Sequence, residues 1–360
     1  MKPITQFFRS TKPLPLDCKE QLNNLTIAYQ TYGVLDKNKT NAVLVCHALS
    51  GDAHAAFEDE EGKKGWWDGF IGPGKTIDTN TMFVICSNVI GSCKGSSGPT
   101  SINIDTGQPY ASSFPIVTIG DMVRAQKQLI DALGIGCLHA VVGASMGGMQ
   151  ALEWTVQFPE SVEKCVCIAS TAKLSAQGLA FGAIGRSAIL MDPEWQEGSY
   201  HFKQPANGLA LARMLGHITY LSHETMNTKF GRKMQNLETY QYDLSSEFQI
   251  ESYLKYQGEK FIERFDANAY IYLSKAMSYF DIPKQYGSLE AAFAPCQSEF
   301  LILSISSDWI YPSAQSKEIA KTLMRLNKIV SYCDINSPYG HDAFLIDLEP
   351  MEKVIRPFLR

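Results

Sequence analysis

A serine flanked by glycines is the feature of this sequence that most clearly indicates chemistry. Gly143-Ala144-Ser145-Met146-Gly147 follows the apolar run Ala140-Val141-Val142 and precedes a helical pattern. A chain that turns so sharply from a buried strand into a helix leaves no room for side chains beside the central residue, so small residues are needed there. The pattern predicts that Ser145 is a nucleophile at the tip of a tight turn, suited to acyl transfer.

A serine hydroxyl is a poor nucleophile unless a base removes its proton. The base is a histidine, and a carboxylate fixes its tautomer and stabilises its cation. After a serine on such a turn, the acid and then the histidine follow along the chain. Asp308 follows one predicted strand, and His341 lies in the loop after the next. We predict Ser145, Asp308 and His341 as the catalytic residues; the alternatives are a solvated turn aspartate and a histidine that caps the last helix.

Other histidines and carboxylates fit these positions less well. His47 precedes the serine, which favours a structural role. Asp342 adjoins His341 and reaches its Nδ1 atom less easily, and Asp334 belongs in or close to a strand. The remaining histidines after the serine lie in a helical segment away from the predicted sheet: His201, His217 and His223.

The charge that develops on an attacked carbonyl oxygen needs two backbone N–H donors. Met146 directly follows the nucleophile at the start of a helix and can supply one of them. The other should come from a loop after an earlier strand, and His47-Ala48-Leu49-Ser50-Gly51 has that position. We therefore predict Leu49 and Met146 as the oxyanion residues.

Short apolar runs alternate with helical patterns on both sides of a long helical segment. Runs of four to eight apolar residues suit strands that are buried on both faces of a parallel sheet. The predicted strands are 25–29, 42–46, 82–86, 140–142, 164–168, 300–305 and 329–332. The predicted helices are one capped by Asp121 and others over 148–157, 250–265, 319–326 and 344–358.

This order of elements, with a serine on a strand-to-helix turn, is typical of the α/β-hydrolase fold. The expected class is α/β, with a mostly parallel sheet, helices on both faces and an inserted helical lid. We predict a core domain of residues 1–174 and 296–360. The lid domain would be residues 175–295, where almost no strand pattern is found.

Composition argues against several other classes of protein. The chain is 45% apolar with a net charge of −5, which permits a sizeable core and gives no reason to expect nucleic acid. No run reaches the ~20 apolar residues that span a bilayer, and the first residues lack a signal-peptide pattern, so we expect a cytoplasmic protein. The cysteines lack metal spacing, and no phosphate-loop or dinucleotide motif occurs, so neither a metal nor such a cofactor is expected.

Several unusual motifs make the sequence similar to the homoserine O-acetyltransferase family over nearly its whole length. The motifs in the predicted core are Cys46-His47-Ala48-Leu49-Ser50-Gly51-Asp52-Ala53-His54, Gly65-Trp66-Trp67, Ser87-Asn88-Val89 and Gly98-Pro99-Thr100-Ser101. Those in the predicted lid are Leu211-Ala212-Arg213-Met214-Leu215, Glu251-Ser252-Tyr253-Leu254 and Arg264-Phe265-Asp266-Ala267-Asn268.

The resemblance implies a ping-pong reaction in methionine biosynthesis. Ser145 would take the acetyl group from acetyl-CoA, a co-substrate rather than a bound cofactor, and pass it to L-homoserine. Arg213 would hold the α-carboxylate of homoserine and Asp342 its α-amine, with Tyr220 and Ser50 also at the substrate site. The family forms homodimers through lid helices, which implies the same assembly here.

Alternatives remain open from sequence alone. A succinyl donor or a serine acceptor would use the same fold. The family pattern often has Thr at the position of Ser50 and Gly at that of Ala144, and these two departures leave the acyl donor open. A plain esterase or thioesterase would have the same triad. The presence of Ser145, Asp308 and His341 argues against a non-catalytic binding protein.

Overall fold

The computed structural model describes residues 2–200 and 203–360. In these residues the strands of the main sheet are β1 (Gln6–Ser10), β2 (Leu25–Tyr32), β3 (Ala42–Cys46), β4 (Phe83–Ser87), β5 (Leu138–Ala144), β6 (Val162–Ile168), β7 (Glu299–Ile305) and β8 (Val330–Ile335). They lie in the order β1-β2-β4-β3-β5-β6-β7-β8. β2 pairs antiparallel with β1 and β4, and the other pairs are parallel, which confirms the predicted mostly parallel sheet.

The middle of the sheet positions the serine turn. In the sheet register Gly143 of β5 pairs with Cys46 of β3 on one side and with Cys167 of β6 on the other. The turn that follows Gly143 therefore leaves the sheet at the carboxyl ends of its central parallel strands. Ligands of open α/β sheets bind outside this edge.

Helices cover both faces of the sheet. In chain order they are α1 (Ile119–Ala132), α2 (Met146–Gln157), α3 (Ala176–Leu190), α4 (Ala206–Tyr220), α5 (His223–Lys229), α6 (Gln249–Ile262), α7 (Ala267–Tyr279), α8 (Ile282–Tyr286), α9 (Leu289–Phe293), α10 (Ser313–Arg325), α11 (Ala343–Ile346) and α12 (Leu348–Leu359). One apolar layer joins the sheet to α1, α2 and α10, and a second joins its other face to α12. Cys165 and Cys167 share the first layer, as their alternation in β6 predicts.

Several helix boundaries differ from the sequence-based predictions; the helix predicted over 319–326, for example, begins earlier, at Ser313. Thr118, and not Asp121, caps α1: its hydroxyl accepts from the Asp121 N–H, and the Asp121 carboxylate accepts from the Thr118 N–H. This is a capping box, which needs an acid three residues after the cap. The predicted helix over 344–358 is interrupted at Asp347, whose φ of −115° and ψ of 69° are not helical. The helix predicted over 250–265 ends at Ile262.

The helices from α3 to α9, here called the helical insertion, lie between β6 and β7 in the chain. α4 packs between α3 and α6, which gives the insertion its own helical layer. Its last part returns to the sheet. α9 packs against α2 and α10, and the rings of Phe293 and Phe300 are 6.0 Å apart.

Smaller elements complete the described chain. Leu14–Pro15 pairs with Gln21–Leu22, and Ile71–Gly72 with Ile77–Asp78, in two short ribbons apart from the main sheet. In residues 2–200 and 203–360, none of the helices has both the length and the apolar character that a bilayer crossing needs.

Candidate active site

Ser145 occupies a backbone conformation that the surrounding glycines make possible. Its φ of 58° and ψ of −124° lie in a sparsely populated region, and such strain marks functional turns. A Cβ atom on Gly143 would lie 2.0 Å from the Gly147 carbonyl oxygen, and one on Gly147 would lie 2.1 Å from that of Cys46. Side chains at these two positions would therefore force the turn away from β3 and β5.

The predicted catalytic residues come together in one hydrogen-bonded chain. His341 Nε2 lies 2.9 Å from Ser145 Oγ, and His341 Nδ1 lies 2.7 Å from Asp308 Oδ2. All three are buried, with exposed fractions of 7% for Ser145, 4% for Asp308 and 4% for His341. This is the geometry of a nucleophile, a general base and an orienting acid.

Backbone donors fix the acid in this arrangement. Asp308 Oδ1 accepts hydrogen bonds from the N–H groups of Ile310 at 2.9 Å and Tyr311 at 3.0 Å, which leaves Oδ2 for the histidine. Asp334 lies elsewhere, where it accepts from Ser304 and Ser313. Asp334, the alternative acid, is therefore not hydrogen-bonded to His341 and does not belong to the series Asp308–His341–Ser145.

The other candidate histidines have different partners. His217 lies 3.1 Å from the Tyr253 hydroxyl, and His223 bonds Asn227, both within the helical insertion. His201 lies outside the described residues. His47 is fully buried, and its Nε2 accepts from the Val89 N–H at 3.1 Å.

The environment of His341 favours its protonated form. Burial lowers the pKa of His341. The charge and hydrogen bond of Asp308 and the charge of Asp342 raise it by a larger amount, so the net pKa lies above the ordinary value of 6.5. A general base must be unprotonated to accept the serine proton. The same carboxylates that stabilise the histidine cation formed during the reaction therefore set the pH below which activity is lost.

We expect kcat/KM for hydrolysis of p-nitrophenyl acetate, a chromogenic acyl donor, to fall as the pH decreases through a pKa above 6.5. In Asp342→Asn this acid limb should move to lower pH, because one of the charges that raise the pKa of His341 is removed. The measurement is a pH–rate profile of both proteins. An acid limb that stays in place in Asp342→Asn would contradict the assignment of that limb to His341.

The predicted oxyanion residues flank the serine from two directions. Met146 begins α2 directly after Ser145, and Leu49 lines the cavity into which Ser145 opens. Gln150 ties their two segments together, because its Nε2 donates to the carbonyl oxygens of His47 at 3.1 Å and Met146 at 3.2 Å. The loop after β3 is thus held next to the start of α2.

A narrow cavity of about 100 Å³ extends from Ser145 and His341 between the sheet edge and the helical insertion. Tyr220 and Tyr311 lie on its wall, and the Tyr311 ring centroid is 5.1 Å from that of His341. The apolar side chains that line the cavity are Leu49, Leu174, Phe181, Leu215, Met277 and Ile310. A lining of this kind accepts a small uncharged group and excludes charged ones unless they are paired.

The two charged residues predicted for substrate binding lie beside Tyr220. The Arg213 guanidinium is 5.5 Å from the Tyr220 ring centroid, and that ring is 6.1 Å from His341, the neighbour of Asp342. Burial and the charge of Asp308 raise the pKa of Asp342 by more than the charges of His341 and Arg213 lower it, so the pKa lies above its ordinary value. Among the described residues, the arginines that form ion pairs are Arg124, Arg325 and Arg356. Arg213 therefore keeps its charge available for a ligand.

Ser50 contributes in a different way from the one predicted. It does not line the cavity; its carbonyl oxygen accepts from Arg264 Nη1 at 3.1 Å. Arg264 and Arg213 approach the Phe261 ring, at 5.2 and 4.8 Å from its centroid. This contact connects the loop after β3 to the helical insertion. In the sequence, Arg264 is only part of a motif to which no role is assigned.

The sequence gives no role to a pair in the insertion, the buried His217 and the half-buried Tyr253. Burial and nearby cations lower the pKa of His217 to about 3, so its imidazole is neutral. Burial raises the pKa of Tyr253, Asp342 raises it further and Arg213 lowers it, which reflects the proximity of both predicted substrate-binding charges. The pair joins α4 to α6, and no short-range pattern in the sequence predicts it.

The end of α4 is anchored to the loops of the acid and the base. The Trp309 indole donates to the Leu221 carbonyl oxygen at 3.2 Å, and the Ser222 hydroxyl bonds the Pro338 carbonyl oxygen. A Cβ on Gly340, at φ 68°, would lie 2.6 Å from the Ser222 nitrogen. The backbone before His341 is thus in direct contact with the residues after Tyr220.

Comparisons with known proteins agree on the family. A family model described as alpha/beta hydrolase fold matches residues 41–348. A homoserine O-acetyltransferase from Methanosalsum zhilinae is 50% identical over 357 residues, which cover 99% of this chain and 72% of that protein.

Two solved structures are also similar. A crystal structure of homoserine O-acetyltransferase from Bacillus anthracis matches with a TM-score of 0.94 and 31% identity, over 100% of this chain and 98% of that one. The structure of esterase E22 matches with a TM-score of 0.91 and 31% identity, over 99% of this chain and 100% of that one. The resemblance read from the motifs is confirmed: the chain belongs to the homoserine O-acetyltransferase family, a family of acyltransferases on the α/β-hydrolase fold.

Proposed function

We propose that the protein is a homoserine O-acetyltransferase, which moves an acetyl group from acetyl-CoA to the L-homoserine hydroxyl through an acyl-Ser145 intermediate. One observation carries the proposal: the hydrogen-bonded series Asp308–His341–Ser145 lies against Tyr220, whose ring is 5.5 Å from the Arg213 guanidinium and whose pKa is raised by burial and by the nearby Asp342 charge. The three hydrogen-bonded residues can perform acyl transfer, and the charges of Arg213 and Asp342 suit an amino-acid acceptor. Acetyl-CoA is consumed as a co-substrate, so the reaction needs neither a metal nor a permanently bound cofactor.

The first half of the reaction forms the acyl-enzyme. His341 Nε2 takes the Ser145 Oγ proton while the oxygen attacks the thioester carbonyl, and the N–H groups of Leu49 and Met146 stabilise the oxyanion. The C–S bond then breaks, and the departing thiolate receives the proton from His341. CoA leaves as the free thiol, and the acetyl group stays on Ser145.

The second half delivers the acetyl group to the acceptor. His341 Nε2 removes the proton of the homoserine hydroxyl as that oxygen attacks the ester carbon. The bond to Ser145 Oγ breaks, and the histidine returns the proton to the serine. Arg213 holds the α-carboxylate and Asp342 the α-amine, so the hydroxyl at the end of the side chain reaches the ester.

The cavity beside Ser145 supports acetyl as the transferred group. Its volume of about 100 Å³ and its apolar lining suit a small uncharged acyl chain. A longer acyl chain that ends in a carboxylate would bring a charge into this lining, which costs several kcal/mol unless a cation compensates it. The charges of Arg213 and Asp342 would match the amino-acid ends of homoserine and serine alike, and homoserine is favoured because the relative that is 50% identical over 99% of this chain is a homoserine O-acetyltransferase.

The test follows thiol release from acetyl-CoA and from succinyl-CoA, each with L-homoserine, with L-serine and without an acceptor. We expect rapid release only with acetyl-CoA and homoserine, and O-acetylhomoserine as the product. Release at the same rate with and without every acceptor would rule out the transferase. A faster reaction with succinyl-CoA or serine would keep the mechanism and change the substrate.

We expect Arg213→Gln to lower kcat/KM for homoserine about 10- to 100-fold, because a charge-assisted hydrogen bond to the α-carboxylate is lost. The loss in the second half-reaction should exceed any loss in the first. Single-turnover measurements separate the two: thiol release without an acceptor reports acylation, and its stimulation by homoserine reports transfer.

A suitable control is Arg232→Gln, which changes a lid arginine that is 5.2 Å from the Phe248 ring and outside the site. It should match the unmodified protein in both half-reactions. If Arg213→Gln lowers acylation as strongly as transfer, Arg213 does not bind the acceptor.

A second candidate is an esterase, because esterase E22 shares the fold at a TM-score of 0.91. The triad serves both activities, and the difference is whether water or an amino acid attacks the acyl-enzyme. The two are separated by the product ratio: acetate exceeding O-acetylhomoserine at saturating homoserine would favour the esterase.

The proposal extends to the setting of the enzyme. Residues 175–295 form its lid, and the product belongs to methionine biosynthesis in the cytoplasm, where O-acylation makes the homoserine oxygen a leaving group. A homodimer through the lid is supported by exposed apolar side chains on α3 and α4: Ile184, Leu190, Leu211 and Ile218. Exposed large apolar side chains on two neighbouring helices are consistent with a protein interface.

A further inference from the structure

Arg186 of α3 lies behind the wall of the Ser145 cavity. Its Nη1 atom donates to the Ser274 carbonyl oxygen at 3.3 Å, the Ser274 hydroxyl at 3.4 Å and the Ser278 hydroxyl at 3.2 Å. Both serines line the cavity, as does Gly182, where an added Cβ would lie 3.0 Å from Arg186 Nη1. The absence of a side chain at Gly182 therefore leaves the guanidinium next to the cavity.

The hydrogen bonds of Arg186 leave much of its donor capacity unused. A guanidinium has five N–H donors, and all three acceptors found in the described residues converge on Nη1. The acceptors are neutral, and Arg186 is not among the arginines that form ion pairs in the described part of the chain. Arg186 is half-buried and has no countercharge among the described residues, so its remaining donors can bind an anionic ligand.

The site of this charge fits the acyl donor rather than the acceptor. Arg186 is on α3 and contacts α7, whereas Arg213 and Tyr220 are on α4. Burial lowers the pKa of Arg186, and Tyr270, which lines the cavity, raises it together with Tyr279. Gly182, Ser274 and Ser278 line the same cavity as Ser145, so an acyl donor at Ser145 lies on the side of the insertion where Arg186 is found.

Resting on the proposed function, we propose that Arg186 binds an anionic group of the acyl donor, with Ser274 and Ser278 holding the guanidinium in place. The anion is a phosphate of the CoA moiety, because the acetyl group of the proposed donor is uncharged and a planar guanidinium recognises phosphate through paired hydrogen bonds. Arg186 is therefore a binding residue for the first half-reaction, distinct from the charges that select the acceptor.

The first test measures binding without turnover. Calorimetry compares CoA with pantetheine, which lacks the phosphates, in the unmodified protein, Arg186→Gln, Arg186→Lys and the control Arg232→Gln. We expect Arg186→Gln to weaken CoA binding roughly tenfold or more relative to pantetheine, and Arg186→Lys to retain part of the difference. Equal weakening of CoA and pantetheine would mean that Arg186 only supports the structure, and would overturn the proposal.

The second test identifies the anion. Acylation rates of Arg186→Gln are measured with acetyl-CoA, S-acetylpantetheine and S-succinylpantetheine. A selective loss with acetyl-CoA supports the phosphate, whereas a selective loss with S-succinylpantetheine would move the site to an acyl carboxylate and overturn the proposal. No selective loss in either binding or acylation overturns the proposal. If the unmodified protein binds CoA through Arg186 but forms no O-acylhomoserine, the proposed function fails and the anion site stands.

Discussion

Ser145→Ala should lower acyl transfer about 10⁴- to 10⁶-fold, because the substitution removes the atom that forms the covalent intermediate. The methyl group of alanine occupies the place of the serine Cβ, so the strained turn at φ 58° is retained and the fold should persist. The measurement is thiol release from acetyl-CoA with homoserine, together with mass spectrometry of the acetylated protein before the acceptor is added.

The matched control for this variant is Ser187→Ala, on the exposed side of α3. It should remain as active as the unmodified protein, and all three proteins should unfold at similar temperatures. An acetylated species that still accumulates in Ser145→Ala would show that another nucleophile carries the acyl group.

Asp308→Asn should lower kcat about 10⁴-fold, because an amide that donates to His341 favours the wrong tautomer of the base. The effect requires the 2.7 Å contact between Asp308 Oδ2 and His341 Nδ1. The acid limb of the pH–rate profile should also move to lower pH, since the carboxylate that raises the pKa of His341 is gone. Steady-state rates and pH profiles of the variant check both expectations.

Asp334→Asn and Asp342→Asn separate the acid from the neighbouring carboxylates. Asp334→Asn should be nearly as active as the unmodified protein, because Asp334 bonds Ser304 and Ser313 outside the triad. Asp342→Asn should mainly raise the KM for homoserine. A greater loss of kcat in Asp342→Asn than in Asp308→Asn would reverse the roles assigned to the two aspartates.

The sequence predicts the parts of this molecule that depend on short-range patterns. The turn at Ser145 can be recognised in the sequence because close contacts at Gly143 and Gly147 require glycine. Those contacts lie between the turn, β3, β5 and α2. The buried strands are visible as apolar runs, and their alternation with helices predicts the sheet. Asp308 and His341 follow from chain order once the turn is recognised, because each succeeds a strand of the same sheet.

Contacts between distant helices are less accessible to such reasoning. The pairing of His217 with Tyr253 and of Arg186 with Ser274 depends on how α3, α4, α6 and α7 pack. Arg213 and Asp342 were predicted only through the resemblance to a family, because a charge on a helix is most often a solvated one. The sequence pattern also gives the wrong N-cap for α1: it indicates Asp121 alone, whereas Thr118 and Asp121 bond to each other in a capping box.

The anchored end of α4 limits how far the helical insertion can move. Trp309, Pro338 and Gly340 hold the residues after Tyr220 to the loops that carry the acid and the base. An outward movement of α4 would therefore disturb the alignment of His341, so the end of α4 and the catalytic histidine must keep their relative positions.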